Sequence, residues 1–150
     1  MEFYDVDKNK AFLVSLKALV VQKNRLLILK NNAEVWGKKS QWELPGGILE
    51  VNEEIETGLI REVKEETGFR ITIGEVLTTW DHWEYGFKLK DGRILDIRFV
   101  EIAFFCQKTG GKIKLSNEHS QLKWATKKEL KEVGFAPNSK KAIKKYLKSN

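Results

Sequence analysis

The sequence predicts an α/β fold in which a mixed β-sheet lies between helices. Three observations carry this expectation. Apolar, β-branched runs punctuated by turn residues fill much of the chain, an amphipathic helical segment sits in the middle, and another closes the C-terminus. With 150 residues, 41% hydrophobic and 32% charged, the chain can bury one core, and a single domain over residues 1–150 is expected.

Residues 11–21 are rich in β-formers, and 25–30 follow a polar break at Lys23 and Asn24, so the two read as a hairpin. Residues 31–40 are polar and read as a loop, and 41–44 as a short strand stopped by Pro45, Gly46 and Gly47. A helix is expected from about Glu53 to Thr67. Asn52 suits its N-cap, Glu53 and Glu54 suit its positive pole, and Gly68 suits a left-handed C-cap. Residues 71–87 read as strand with a break near Asp81 and His82, and Asp91-Gly92 is a turn signal before a long strand over 94–107. Residues 112–115 and 121–125 read as shorter strands. Thr126 with Glu129 spells a capping box for a helix to about Val133, and a last helix begins at Asn138 or Ser139.

The net charge is +6, and much of the excess lies in Lys127, Lys128, Lys131, Lys140, Lys141, Lys144, Lys145 and Lys148. Ala142, Ile143, Tyr146 and Leu147 interrupt this run at helical spacing, which favours a docked amphipathic helix with a wet lysine face over a nucleic-acid-binding tail. Such a surface still draws in polyanionic substrates. Cys106 is the only cysteine, so no internal disulfide forms, and it reads as a small core residue. The sequence has no 18-residue apolar run and opens on polar residues rather than a signal peptide, so a cytoplasmic protein without a membrane partner is expected.

The chemistry concentrates in the middle helix. Glu62, Glu65 and Glu66 stand at i, i+3 and i+4, so their carboxylates share one side and repel each other at the negative pole of the helix. At about 100° per residue, Ile55, Leu59 and Val63 form an apolar stripe, with Glu62 and Glu66 each about 20° from Ile55 and Glu65 about 80° away. Glu62 and Glu66 therefore point inward, where a carboxylate must be paired, hydrogen-bonded or metal-bound. Hard oxygen ligands of this kind suit Mg²⁺ or Mn²⁺.

From Gly47 the spacing runs five residues to Glu53, then seven to Arg61-Glu62-Val63-Lys64-Glu65-Glu66-Thr67-Gly68-Phe69. This resembles the Nudix box, Gx5Ex7REUxEExGU with U a bulky aliphatic residue; every fixed letter matches, and Phe69 at the second U is a mild departure. At ordinary residue frequencies a chance match anywhere in the chain is on the order of 10⁻⁶. The resemblance implies a Nudix-type α/β/α sandwich and water-driven hydrolysis of a pyrophosphate bond in a nucleoside diphosphate linked to another group. Carried over position by position, Glu62, Glu65 and Glu66 are metal ligands, and the Gly47 carbonyl is a further one. Gly46 and Gly47 let the backbone approach metal and phosphates, while Arg61 and Glu53 form an ion pair that orients the carboxylates.

The general base stays open among Glu118 in the late LSNEHSQLKW segment, Glu101 on an apolar strand face, and Glu62 itself. Glu118 reads equally as an exposed loop residue. His82 and His119 are acid or base candidates by residue type but, as lone loop histidines, read more readily as solvent-exposed. Trp80, Trp83, Tyr85 and Phe87 offer rings for base stacking or for packing; Trp83, Tyr85 and Arg98 are expected to touch substrate. Tyr85, 16 residues after Phe69, and the late segment resemble the diadenosine-polyphosphate-cleaving group, giving a lean to dinucleoside polyphosphates or nucleoside triphosphates. A non-catalytic nucleotide or RNA sensor and an RNA 5′-end pyrophosphohydrolase are the alternatives. Homodimers are frequent in this family, although the sequence carries no interface signature of its own.

Overall fold

Strand β1 (Lys10–Gln22) organises the molecule by pairing with three different strands. The structure, a computed structural model, describes residues 9–37 and 39–149. Along Lys10–Val20, β1 runs parallel to β6 (Ile94–Gly111), which pairs antiparallel with β5 (Phe69–Lys88). On its other side Ser15–Lys17 pairs antiparallel with β4 (Gly46–Ile48). Only its end joins β2 (Arg25–Asn31), through Val21 to Leu26 and Gln22 to Arg25, so the expected hairpin exists only at its root. β2 then carries β3 (Trp42–Glu43) and β7 (His119–Ala125).

The alternation of β1 sorts two cores. Leu16, Ala18 and Val20 face α2 (Ile55–Thr67) and pack with Leu59, Val63, Phe69 and Phe104. Leu19 faces the opposite side and packs with Trp80, Ala103 and, on α4 (Pro137–Lys148), Ala142, Ile143 and Tyr146. Helices thus cover both faces of a mixed sheet, the expected α/β architecture. Cys106 is buried in the α2 side of the core, and burial pushes its thiol up to about 12. No helix among the described residues is long and apolar enough to cross a membrane.

Several boundaries differ from expectation, each for a tertiary reason. Residues 31–40 contain a short helix, α1 (Ala33–Trp36), capped by the Asn32 side chain accepting from Glu34 N at 3.1 Å. Helix α2 starts at Ile55 behind Glu54, with Asn52 and Glu53 outside it, because the Glu53 carboxylate closes the loop by accepting from Glu50 N and from Arg61. No break occurs at Asp81 and His82: both stay paired with β6, whose Arg98 and Glu101 satisfy their side chains at 2.9 and 3.0 Å. Residues 112–115 are not a strand. Lys114 N and Ser116 N instead donate to the carbonyls of Thr67 and Glu66, satisfying the end of α2. The capping box at Thr126 is present, but α3 (Lys127–Leu130) is shorter than expected, and α4 starts at Pro137, which suits a first helical turn.

Candidate active site and metal centre

The last turns of α2 press Glu62 and Glu66 against β4. Gly46 has φ 146° and no room for a side chain, since a Cβ there would meet the Leu16 carbonyl oxygen at 1.9 Å. Its N–H donates to Glu66 Oε1 at 2.7 Å. At Gly47 a Cβ would lie 2.4 Å from the Glu62 carboxyl carbon, so this carboxylate rests directly on the β4 backbone.

Arg61 gathers the remaining acids of the helix. Its Nε and Nη2 donate to the two oxygens of Glu53 at 2.9 and 2.7 Å, a bidentate pair, while Nη1 donates to Glu62 at 2.9 Å and Glu65 at 3.2 Å. Glu50 lies 3.8 Å from Nη2. The Arg61 hydrogen bonds hold the Glu53 carboxyl at about 2, and the same contacts raise the Arg61 guanidinium. Burial raises the Glu62 carboxyl, with Arg61 pulling it back and Glu65 and Glu118 pushing it further up. Glu65 is the outward member of the trio, its side chain 59% exposed.

Glu66 is the buried one. Burial pushes its carboxyl well above the usual range; the Gly46 N–H and Lys17 counter this, and Glu43 and Glu62 add to it. Beside it lie Glu43, which the sequence did not single out, and His119, which the sequence suggested was exposed. His119 Nε2 is 3.2 Å from Glu66 Oε2 and 2.7 Å from Glu43 Oε1, and the donor atoms of Glu43, Glu66 and His119 all lie within 4.8 Å of one another. Burial pushes the Glu43 carboxyl up, but His119, Lys17 and Asn138 outweigh it and hold the group below its usual value. His119 is therefore buried, not solvent-exposed as expected; its ring lies between Glu43 and Glu66 and against Ser116. Glu43 carries no motif spacing, and only its place two residues before Pro45 hinted at the site.

The other expected residues divide. Glu118 is half-buried, its carbonyl held by Asn32 N at 2.8 Å, and its charge bears on Glu62. Glu101 is fully buried on the α4 side of the sheet, with Oε1 3.0 Å from His82 Nε2 and Oε2 without a hydrogen-bond partner, as is the neighbouring Trp80 Nε1. His82 is thus paired rather than free in solvent, and its ring stacks on Phe99. Trp83 and Tyr85 stack on each other at 5.9 Å, and Arg98 lies 6.0 Å over Trp83 while bonding Asp81. Arg98 pairs with Phe12, whereas Gly46 pairs with Lys17, five residues further along β1. At about 3.3 Å per residue the stacked pair stands about 17 Å along the sheet from Gly46 and is not brought together with the carboxylates.

The donor set fits a hard divalent cation. Glu62 and Glu66 both reach from α2 onto the glycine backbone of β4 and offer oxygen, while Glu43, Glu66 and His119 are the group whose possible ligand atoms lie within 4.8 Å of one another among the described residues. Carboxylates that burial makes reluctant to ionise are those a bound cation most readily stabilises.

Comparison with known proteins agrees with this geometry. The NUDIX domain model matches residues 12–146. A MutT-like protein from Streptomyces ambofaciens is 33% identical over 119 residues, 79% of this chain and 67% of that protein. An ADP-ribose pyrophosphatase from Methanocaldococcus jannaschii is 25% identical over 147 residues, 96% of this chain and 80% of its own length. Longer relatives from Arabidopsis thaliana and Caenorhabditis elegans are matched over only 26% and 22% of their length. The crystal structure of a MutT protein from Methanosarcina mazei superposes with a TM-score of 0.70 at 23% identity, covering 93% of this chain and 94% of that one. The box on α2, the glycine strand facing it and the match over almost the whole length lead to one conclusion: the chain belongs to the Nudix family of MutT-like hydrolases, enzymes that act on pyrophosphate bonds.

Proposed function

We propose that the protein hydrolyses a pyrophosphate bond in a nucleoside diphosphate linked to another group, with water as nucleophile and Mg²⁺ or Mn²⁺ as cofactor. The observation that carries this is the convergence of Glu62 and Glu66, both raised by burial, on the Gly46–Gly47 backbone. Glu62, Glu65, Glu66 and the Gly47 carbonyl would hold the ion, which when bound neutralises phosphate charge as a Lewis acid. Arg61 fixes the directions of Glu62 and Glu65 and is itself fixed by Glu53. Glu118 is the general base we favour, because its charge bears on Glu62 at the open side of the trio. Glu101, buried against His82, is the alternative. The ADP-ribose pyrophosphatase relative supports a nucleoside-diphosphate substrate, and residues 1–150 are taken to act as one domain in the cytoplasm.

A second reading has its own support. Lys141, Lys144, Lys145 and Lys148 line a groove of about 550 Å³ with Leu77 and enter no ion pair with a described acid. This favours a polyphosphate-bearing RNA end as substrate, with steep salt dependence as its signature. The experiment is a hydrolysis screen with Mg²⁺ or Mn²⁺ over nucleoside triphosphates, dinucleoside polyphosphates, ADP-sugars and triphosphorylated RNA. Turnover that requires metal and disappears in Glu66→Gln is expected. Undiminished turnover in a chelator would refute the proposal.

A further inference from the structure

We infer that His119 is a positioning residue of the metal site: together with Glu43 it locks the Glu66 carboxylate, and metal affinity depends on that lock. The inference rests on the hydrolase proposal, since only there does Glu66 hold an ion.

Glu66 has two oxygens and a fixed contact on each, Gly46 N–H on Oε1 and His119 Nε2 on Oε2. Nε2 thus lies between two carboxylates, Glu43 and Glu66. The ring is held at its other end as well, with Nδ1 3.3 Å from Ser116 Oγ, and its side chain is 2% exposed. Glu43, the second acceptor, is anchored in turn by Asn138 Nδ2 at 3.0 Å, and Asn138 accepts from Ser139 Oγ. A hydrogen-bonded chain therefore runs from the start of α4 through Glu43 to His119, whose Nε2 lies at ion-pair distance from Glu66 Oε2 near the end of α2.

Removing the imidazole leaves Glu43 and Glu66 facing each other in a dry setting, where like charges repel strongly. Each acid then keeps one partner, Glu43 the Asn138 amide and Glu66 the Gly46 N–H on Oε1, so the Glu66 carboxylate loses the contact on Oε2 that fixes its rotation. Lys17 adds a positive charge whose field reaches both carboxylates. What remains for the imidazole is orientation: it aims Glu66 toward Glu62 and Gly47.

The test is Mn²⁺ binding followed by electron paramagnetic resonance on wild type, His119→Ala, His119→Gln and Glu43→Gln, each checked for folding by circular dichroism. His119→Ala is expected to bind Mn²⁺ about 10- to 100-fold more weakly, the usual cost of losing a partner of a ligating group. His119→Gln, which keeps one N–H donor, recovers part of the loss. In turnover assays the Mn²⁺ needed for half activity rises while the nucleotide KM at saturating Mn²⁺ stays near wild type. Lowered thermal stability with unchanged Mn²⁺ affinity in every folded variant overturns the inference. Should His119→Ala not fold, His119→Gln and Glu43→Gln decide it alone. If wild type and Glu65→Gln bind Mn²⁺ alike, the box is not the metal site and the hydrolase proposal falls with it.

Discussion

Replacing Gly47 by alanine isolates the placement of one carboxylate. The new Cβ would stand 2.4 Å from the Glu62 carboxyl carbon and 2.5 and 2.7 Å from its oxygens, about 1 Å short of an ordinary contact near 3.4 Å. Its φ is not in the left-handed region, so the backbone accepts alanine without strain and the side chain must give way. The end of a flexible glutamate can move, which keeps the stability cost near the low end for overpacking, about 1 kcal/mol. For a chain of this size that is about 2–4 °C in melting temperature. A misplacement of about 1 Å at a reacting group can cost about 100-fold in rate. Gly47→Ala should therefore fold, melt slightly early and lose about two orders of magnitude in kcat, read by calorimetry and steady-state turnover with Mg²⁺. Gly46→Ala is the contrast: its Cβ would meet the Leu16 carbonyl, so loss of folding is expected. Wild-type kcat in Gly47→Ala would mean that the position of Glu62 against β4 is irrelevant to catalysis.

Arg61→Lys keeps the charge but cannot serve Glu53, Glu62 and Glu65 together through a fork, so Mn²⁺ binding should weaken about tenfold and the melting temperature should fall. Glu118→Gln should lower kcat with folding and metal affinity retained; if only Glu101→Gln does so, the base is Glu101. Acid titration separates two carboxyls of opposite sign. Glu53, held at about 2 against a usual 4.5, stabilises the fold above its unfolded value, and that contribution is lost as pH falls through about 2. Glu66 is raised, so in chelator the ionised group costs stability at neutral pH, and the melting temperature should rise as pH drops through the raised value toward the usual carboxyl range. Saturating Mn²⁺ should remove that rise.

The box was legible because its parts are local: the spacing from Gly47 to Phe69 is a helix with its entry loop, and periodicity alone aimed Glu62 and Glu66 inward and Glu65 outward. The strands were legible in place but not in partnership. Nothing in residues 11–21 announces that β1 runs parallel to β6 rather than along β2. Asp81 and His82 looked like a break because their partners, Arg98 and Glu101, sit on another strand. Residues 112–115 have the composition of a strand, yet the end of α2 offered carbonyls to satisfy. Glu43 went unremarked and His119 read as exposed for the same cause, since their meeting depends on how segments remote in the chain come together.

That remoteness shapes how the protein is born. Glu43 reaches His119 across 76 residues, and Leu44 N reaches Ser139 Oγ across 95. A ribosome delivers the acid-bearing helix long before the segments that orient it, and bringing distant segments together carries a loop-closure cost that slows folding. Until β7 and the final helix dock, Glu66 lacks the His119 contact and Glu43 lacks Asn138, while the local Arg61 contacts to Glu53, Glu62 and Glu65 need neither. A chain shortened before His119 would therefore carry the motif on α2 without the contacts that His119 and Asn138 make to Glu43 and Glu66.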